Sequence, residues 1–224
     1  MHHFPKIRSS SPVPHVSRAG ATLSEVFPTT GAEAAAAKFI VNQLGHGKKP
    51  VLWIQDYATQ RDSGRPYLAG LGLDRPMMML KLSRPVDVMT AVEEGLRCQM
   101  LVAVIAEISG NPPAVNFTAM KRLALRAEAS GVPCWLIRPR ATADLSAARA
   151  RWRVSVLPST PNPDDACAPG DPRWRISLFR SRDGRPGEWV ARHDRATNSL
   201  DLVAAIPDGT MAEDTRADLQ RAAR

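Results

Sequence analysis

The residues of this chain with the most chemical promise are a short triplet, Gly31-Ala32-Glu33, and two acids, Asp56 and Glu107. The triplet sits between an apolar stretch ending at Phe27-Pro28 and the Ala-rich run 34–37, followed by Lys38-Phe39. That order of strand end, small polar turn and helix start is the layout of a phosphate-binding loop. Such a loop needs a Gly-rich run of backbone N–H groups and then Gly-Lys-Ser/Thr, with the lysine neutralising phosphate and the hydroxyl holding magnesium. Here Gly31 is followed by Ala32 and Glu33. A carboxylate at a helix N-terminus suits the helix dipole and repels a polyphosphate seeking the same place. The layout of a nucleotide hydrolase is present, and its phosphate chemistry is deleted.

Asp56 follows the apolar run 51–54, and Glu107 follows 101–106. In phosphate-loop ATPases, acids at such places position water and help hold magnesium. With no phosphate loop to serve, the plainer expectation is a pair of solvated carboxylates at strand ends. No nucleophile elbow, metal-binding histidine pair or dinucleotide fingerprint accompanies them. None of the five histidines has a plausible catalytic acid or nucleophile nearby in sequence. These features predict a protein that is not an enzyme and needs no cofactor.

A second group of residues carries charge. Arg151-Trp152-Arg153 and Arg173-Trp174-Arg175 each place an indole between two guanidiniums, and Arg180 and Arg182 follow. In a strand this spacing puts both arginines on one face and the tryptophan on the other. One reading is phosphate contact with base stacking, as in single-strand binders. The other packs each tryptophan inward, with the arginines on a solvated edge that resists aggregation. Trp152 continues at period two into Val154 and Val156, and Trp174 into Ile176 and Leu178, which favours the inward reading. Either way the six arginines are candidates to meet DNA or an acidic protein.

The elements that position these residues alternate. Apolar runs at 51–54, 77–80, 101–105 and 134–137 read as strands buried on both faces. Met77-Met78-Met79 is expected to be core filler. Between the strands, Pro85 opens a helix carrying Val88, Val92 and Leu96, and the stripe Phe117, Met120, Leu123, Ala124, Ala127 ends at Ser130-Gly131. Such alternation implies parallel strands joined by right-handed crossovers. After Arg140 the pattern changes to short strands at 152–157, 173–182, 189–193 and 200–205, expected to extend the sheet in antiparallel fashion. Residues 1–20 read as a flexible leader, 21–140 as the core, 141–206 as its extension and 207–224 as a flexible tail.

At 224 residues and 44% hydrophobic content, the chain can build one generous core. Its net charge of +8 points to an acidic partner. Cys98, Cys134 and Cys167 lie far apart, and the first two are expected to act as small buried hydrophobes. No segment approaches the roughly 18 consecutive apolar residues of a membrane helix. The expected location is cytoplasmic.

Taken together these residues resemble the ImuA family, RecA-related accessory proteins of damage-induced mutagenesis in bacteria. The resemblance rests on residues 91–97, on 123–132, on Arg151-Trp152-Arg153-Val154, on 172–176 and on Gly184-Arg185-Pro186-Gly187-Glu188-Trp189. Residues 51–56 and 67–74 also look like a RecA core. On that comparison Gly31 matches the last glycine of the phosphate loop, Ala32 its lysine and Glu33 its hydroxyl residue. The resemblance implies a RecA-like α/β domain, a parallel core sheet flanked by helices with an antiparallel C-terminal extension. It implies a non-catalytic role in SOS-induced translesion synthesis. Its implied partners are an inactive Y-family polymerase homologue (ImuB-like) and an error-prone C-family DNA polymerase, with RecA as a further contact. Single-stranded DNA, a weak or partner-completed ATPase and a SulA-type division inhibitor remain as alternatives.

Overall fold

The computed structural model describes residues 21–30, 34–165, 167–182, 184–194 and 199–206, with backbone only for 202–206. The expectations placed on residues 1–20, on Gly31, Ala32 and Glu33, and on 207–224 lie outside the described residues.

Five strands alternate with helices in the first part of the chain: β1 (Leu23–Pro28), α1 (Ala34–Gln43), β2 (Val51–Asp56), α2 (Tyr57–Ser63), α3 (Leu68–Leu71), β3 (Met77–Leu82), α4 (Pro85–Gly95), β4 (Ala103–Glu107), α5 (Phe117–Ser130) and β5 (Cys134–Ile137). Four more strands follow, β6 (Ala150–Leu157), β7 (Arg173–Ser181), β8 (Gly187–Asp194) and β9 (Ser199–Ile206). All lie in one sheet, in the order β3-β2-β4-β5-β1-β6-β7-β8-β9. The β1–β5 strands pair in parallel, and β7–β9 run antiparallel. The expected α/β class, a parallel core with an antiparallel extension, is the one observed.

Local sequence explains where the elements begin and end. Pro85 opens α4 in its first turn, where its missing N–H costs nothing. Asn116 caps α5 by accepting the Ala119 N–H at 3.0 Å, and Gly131 closes the helix at φ 74°, a left-handed conformation that favours glycine. Both faces of the inner parallel strands β1, β2, β4 and β5 are covered, so their side chains divide between two cores. Phe39 and Ile40 of α1 pack on Trp53, Ile105, Trp135, Trp152 and Ile176. Val88, Val92, Met120 and Leu123 of α4 and α5 pack on Leu23, Ile54, Val104 and Leu136.

Three expectations are corrected. The turn to antiparallel pairing comes one strand later than expected: β6 pairs parallel with β1 and antiparallel with β7. The β3 strand is not buried but forms the edge of the sheet, leaving Met78, Met79 and Leu80 exposed. A continuous apolar run is compatible with either place, because it records no neighbour. Cys98 is exposed, since the chain leaves α4 just before it, whereas Cys134 is buried in β5 as expected. Among the described residues no helix is long and apolar enough to cross a membrane.

Candidate functional site

In open α/β sheets, ligands bind beyond the carboxyl ends of the parallel strands. A cavity of about 510 Å³ lies at that edge here. Its wall includes Pro28 at the end of β1, Gln55 of β2, Glu107 of β4, Ile137 of β5, and Ala34 and Lys38 of α1. Tyr67 and Leu71 close one side, and Trp174 and His193 of the extension close another. Those last two rings stack, with centroids 5.6 Å apart and planes 8° from parallel. The wall is therefore mostly apolar, with a few convergent polar groups, the usual make-up of a ligand pocket.

Glu107 is one of those polar groups. It ends β4 beside Gln55, its register partner, and accepts the Trp53 indole N–H at 2.6 Å. Burial pushes its carboxyl above the usual range, the Asp56 charge adds to this, and hydrogen bonds from Trp53 and Gln55 oppose it. Lys38 is 4% exposed and donates to the Leu71 carbonyl at 2.6 Å; burial lowers its ammonium pKa. Asp56 is also buried, and its carboxylate caps α2 by accepting the Thr59 N–H at 2.6 Å. Neither acid is the solvated carboxylate expected from sequence. Both strands end beneath other elements, which the strand pattern alone does not reveal.

The raised Glu107 pKa has a definite sign. A carboxyl whose folded pKa lies above its unfolded value favours folding while protonated, and that contribution is lost as pH rises through the folded pKa. The wild-type chain should therefore lose melting temperature as pH rises from the ordinary carboxyl value of 4.5 toward neutrality. Glu107→Gln keeps an acceptor for Trp53 and should flatten that part of the profile. Identical pH profiles for the two proteins would contradict the assignment.

The arginines divide. Arg153, Arg175, Arg180 and Arg182 are exposed and Arg173 is partly so, all on or beside β6 and β7. Arg153 lies over the Phe179 ring at 4.5 Å, Arg175 pairs with Glu188 at 3.1 Å, and Arg173 donates to the Pro158 carbonyl at 2.8 Å. Trp152 and Trp174 are buried, as the period-two pattern favours. Arg151 is the correction: it is 3% exposed and donates to Glu25 at 2.7 Å. It shares that carboxylate with Arg138, which donates to it at 3.0 Å. Strand parity put Arg151 on the face opposite Trp152 correctly, but that face is covered where β6 meets β1.

Sequence reasoning passed over Glu25, Arg138, Lys38 and the Trp53–Glu107 pair. A signal existed for the first of them. Glu25 is the one charged residue inside a mostly apolar strand, and a carboxylate there needs a buried cation. Trp53 gave none, since its partner lies 54 residues away.

The arrangement defines an α/β protein with a mostly apolar cavity at the carboxyl edge of its parallel strands and an arginine face on its extension. No family model matches the chain. The chain is 33% identical over 203 residues to Protein ImuA of Caulobacter vibrioides, in each of two strains, covering 82% of this chain and 78% of that protein. The chain belongs to the ImuA family. Among solved structures, the RadB recombinase crystal structure is similar over 83% of this chain and 92% of its own, with a TM-score of 0.49 and 12% identity.

Proposed function

We propose that this chain is a non-catalytic accessory protein of SOS-induced mutagenesis. In that role it docks an inactive Y-family polymerase homologue and an error-prone C-family polymerase, with RecA as a further contact. The observation that carries the reading is the family relationship over 82% of the chain. The site chemistry agrees with it. A polyphosphate wants several free cations and backbone N–H groups. Of the lysine and arginine side chains in the cavity wall, Arg65 is exposed and Lys38 is turned onto a carbonyl; a carboxyl lines the same wall, and Glu33 stands in sequence where the phosphate loop has its hydroxyl.

For partner contact the reading uses Arg153, Arg173, Arg175, Arg180 and Arg182. Exposed charges of this kind steer association more than they hold a finished complex. Changing Arg153, Arg175, Arg180 and Arg182 together to Glu should slow association with the polymerase homologue by about 10-fold or more at low salt. Surface-immobilised binding kinetics measure this, with co-elution of the purified proteins as the parent test. An unchanged association rate removes the arginine face from the account. Failure of the wild-type chain to co-elute with either polymerase removes the docking role itself.

The cavity at the carboxyl edge favours one rival reading, a weak ATPase or one completed by a partner. In that case nucleotide would raise the melting temperature, because a ligand bound only by the folded state stabilises it by mass action. Direct binding of single-stranded DNA would instead appear as an affinity falling steeply with salt.

A further inference from the structure

The strap from Arg65 to Leu71 gives the cavity at the carboxyl edge one fixed wall. Gly64 and Gly72 bracket it at φ 76° and 58°, where glycine is favoured because it has no Cβ. Side chains that line the cavity themselves tie both ends of the strap. The Gln55 amide donates to the Gly64 carbonyl at 3.0 Å, and the Lys38 ammonium donates to the Leu71 carbonyl at 2.6 Å. A second wall carries the Trp174 and His193 rings, stacked with their planes 8° apart. Contacts within the protein thus set the walls, as in a site formed before its ligand arrives.

Those walls select against charge. Glu107 and Lys38 both line the cavity and are 8% and 4% exposed. Burial pushes the carboxyl pKa up and the ammonium pKa down, so each group is driven toward its neutral form. Lys38 is also turned onto a carbonyl, and Arg65 is exposed. A ligand anion would therefore lose its water shell with little cationic replacement. A neutral carboxyl in a mostly apolar site instead donates a hydrogen bond to a ring nitrogen or a carbonyl. Flat aromatic walls add stacking. The cavity volume of about 510 Å³ lies within the range of sites for whole small molecules, roughly 300–1,000 Å³.

We propose that this cavity binds an uncharged, flat, fused-ring heteroaromatic compound, its ring against Trp174 and His193 and an acceptor atom toward Glu107. Such a ligand uses the stacking wall and the carboxyl, and asks nothing of Lys38 beyond its bond to Leu71. The inference rests on the non-catalytic reading above, because it gives the cavity to a molecule that carries no phosphate.

The test titrates the full chain with quinoline and with adenosine as probes, and with adenosine triphosphate as the same purine carrying charge. Saturation transfer from protein to ligand protons reads contact, and the rise in melting temperature reads affinity. Both neutral rings should bind, and adenosine should bind about 10-fold or more tightly than its triphosphate. Ala34→Trp adds a large ring at an exposed position of the cavity wall and should weaken both neutral probes by about 10-fold or more. Glu107→Gln keeps a donor and cannot ionise, so it should bind them as well as the wild type does. Absence of binding by both neutral rings overturns the inference and leaves the accessory role standing. So does unchanged affinity in a folded Ala34→Trp protein, which would place the rings elsewhere, or lost affinity in Glu107→Gln, which would mean that the site uses a charged carboxylate. Tighter binding of the triphosphate also overturns it. The non-catalytic reading then falls as well if the chain hydrolyses that triphosphate, and stands if it does not.

Discussion

Glu25→Gln should cost about 3–5 kcal/mol of folding stability, the usual consequence of removing one member of a buried ionic group. Glu25 is 1% exposed in β1 and holds Arg138 and Arg151, which are 5% and 3% exposed. Glutamine offers one acceptor oxygen to two guanidiniums and no charge to balance them. Burial already pushes the Arg138 guanidinium below its usual pKa range, with the Glu25 charge as the main opposing influence. Arg138 has further partners in the Gly110 carbonyl and the Asn111 side chain, while Arg151 lies beside the Phe27 and Phe179 rings at 5.2 and 5.3 Å. Urea unfolding of the full chain measures the loss. Arg151→Met should cost less, because Glu25 keeps Arg138. Replacing all three residues with apolar ones of similar size should cost less than Glu25→Gln alone, since no unbalanced charge is left behind. A Glu25→Gln loss below about 1 kcal/mol would mean that water reaches the group.

Trp152→Ala should be comparably severe, at about 3–5 kcal/mol for emptying an indole-sized site in a core. Trp152 is 1% exposed, with its ring centroid 5.1 Å from Phe39 and 6.5 Å from Trp189. It sits in β6, the strand that joins the parallel core to the antiparallel extension, so its loss should loosen the arginine face as well. Faster hydrogen exchange across β6 and β7 would report that. The Trp152 indole N–H has no hydrogen-bond partner among the described residues. Trp152→Phe should therefore cost distinctly less than Trp152→Ala, because it removes an unsatisfied donor along with the lost volume. Equal losses in the two variants would contradict this account of the site.

The alternation of strands and helices was legible because buried parallel strands are continuous apolar runs, and helix ends carry local chemistry such as Pro85 and Gly131. The inward tryptophans were legible from the period-two pattern of β6 and β7. What could not be read depended on neighbours distant in sequence. Met77 to Leu80 have the composition of a central strand and occupy an edge, since sheet order comes from the crossovers. Arg151 and Arg153 look equivalent in sequence, yet the first is sealed against Glu25 and the second is open to solvent. Glu107 looked like a strand-end carboxylate until Trp53 and the cavity wall came together around it. The chemistry of the site was thus partly visible, and its burial was not.

Damage-induced mutation frequency in cells lacking this gene, complemented with the wild-type or the Glu107→Gln chain, tests the account most directly. Without the gene, induced mutagenesis should fall to the uninduced level, and both chains should restore it equally, because in the proposed role the protein docks its partners and performs no hydrolysis. Undiminished mutagenesis in the deletion strain would contradict the accessory role. A folded Glu107→Gln chain that fails to restore it, with loss of an ATPase activity present in the wild type, would contradict the non-catalytic one.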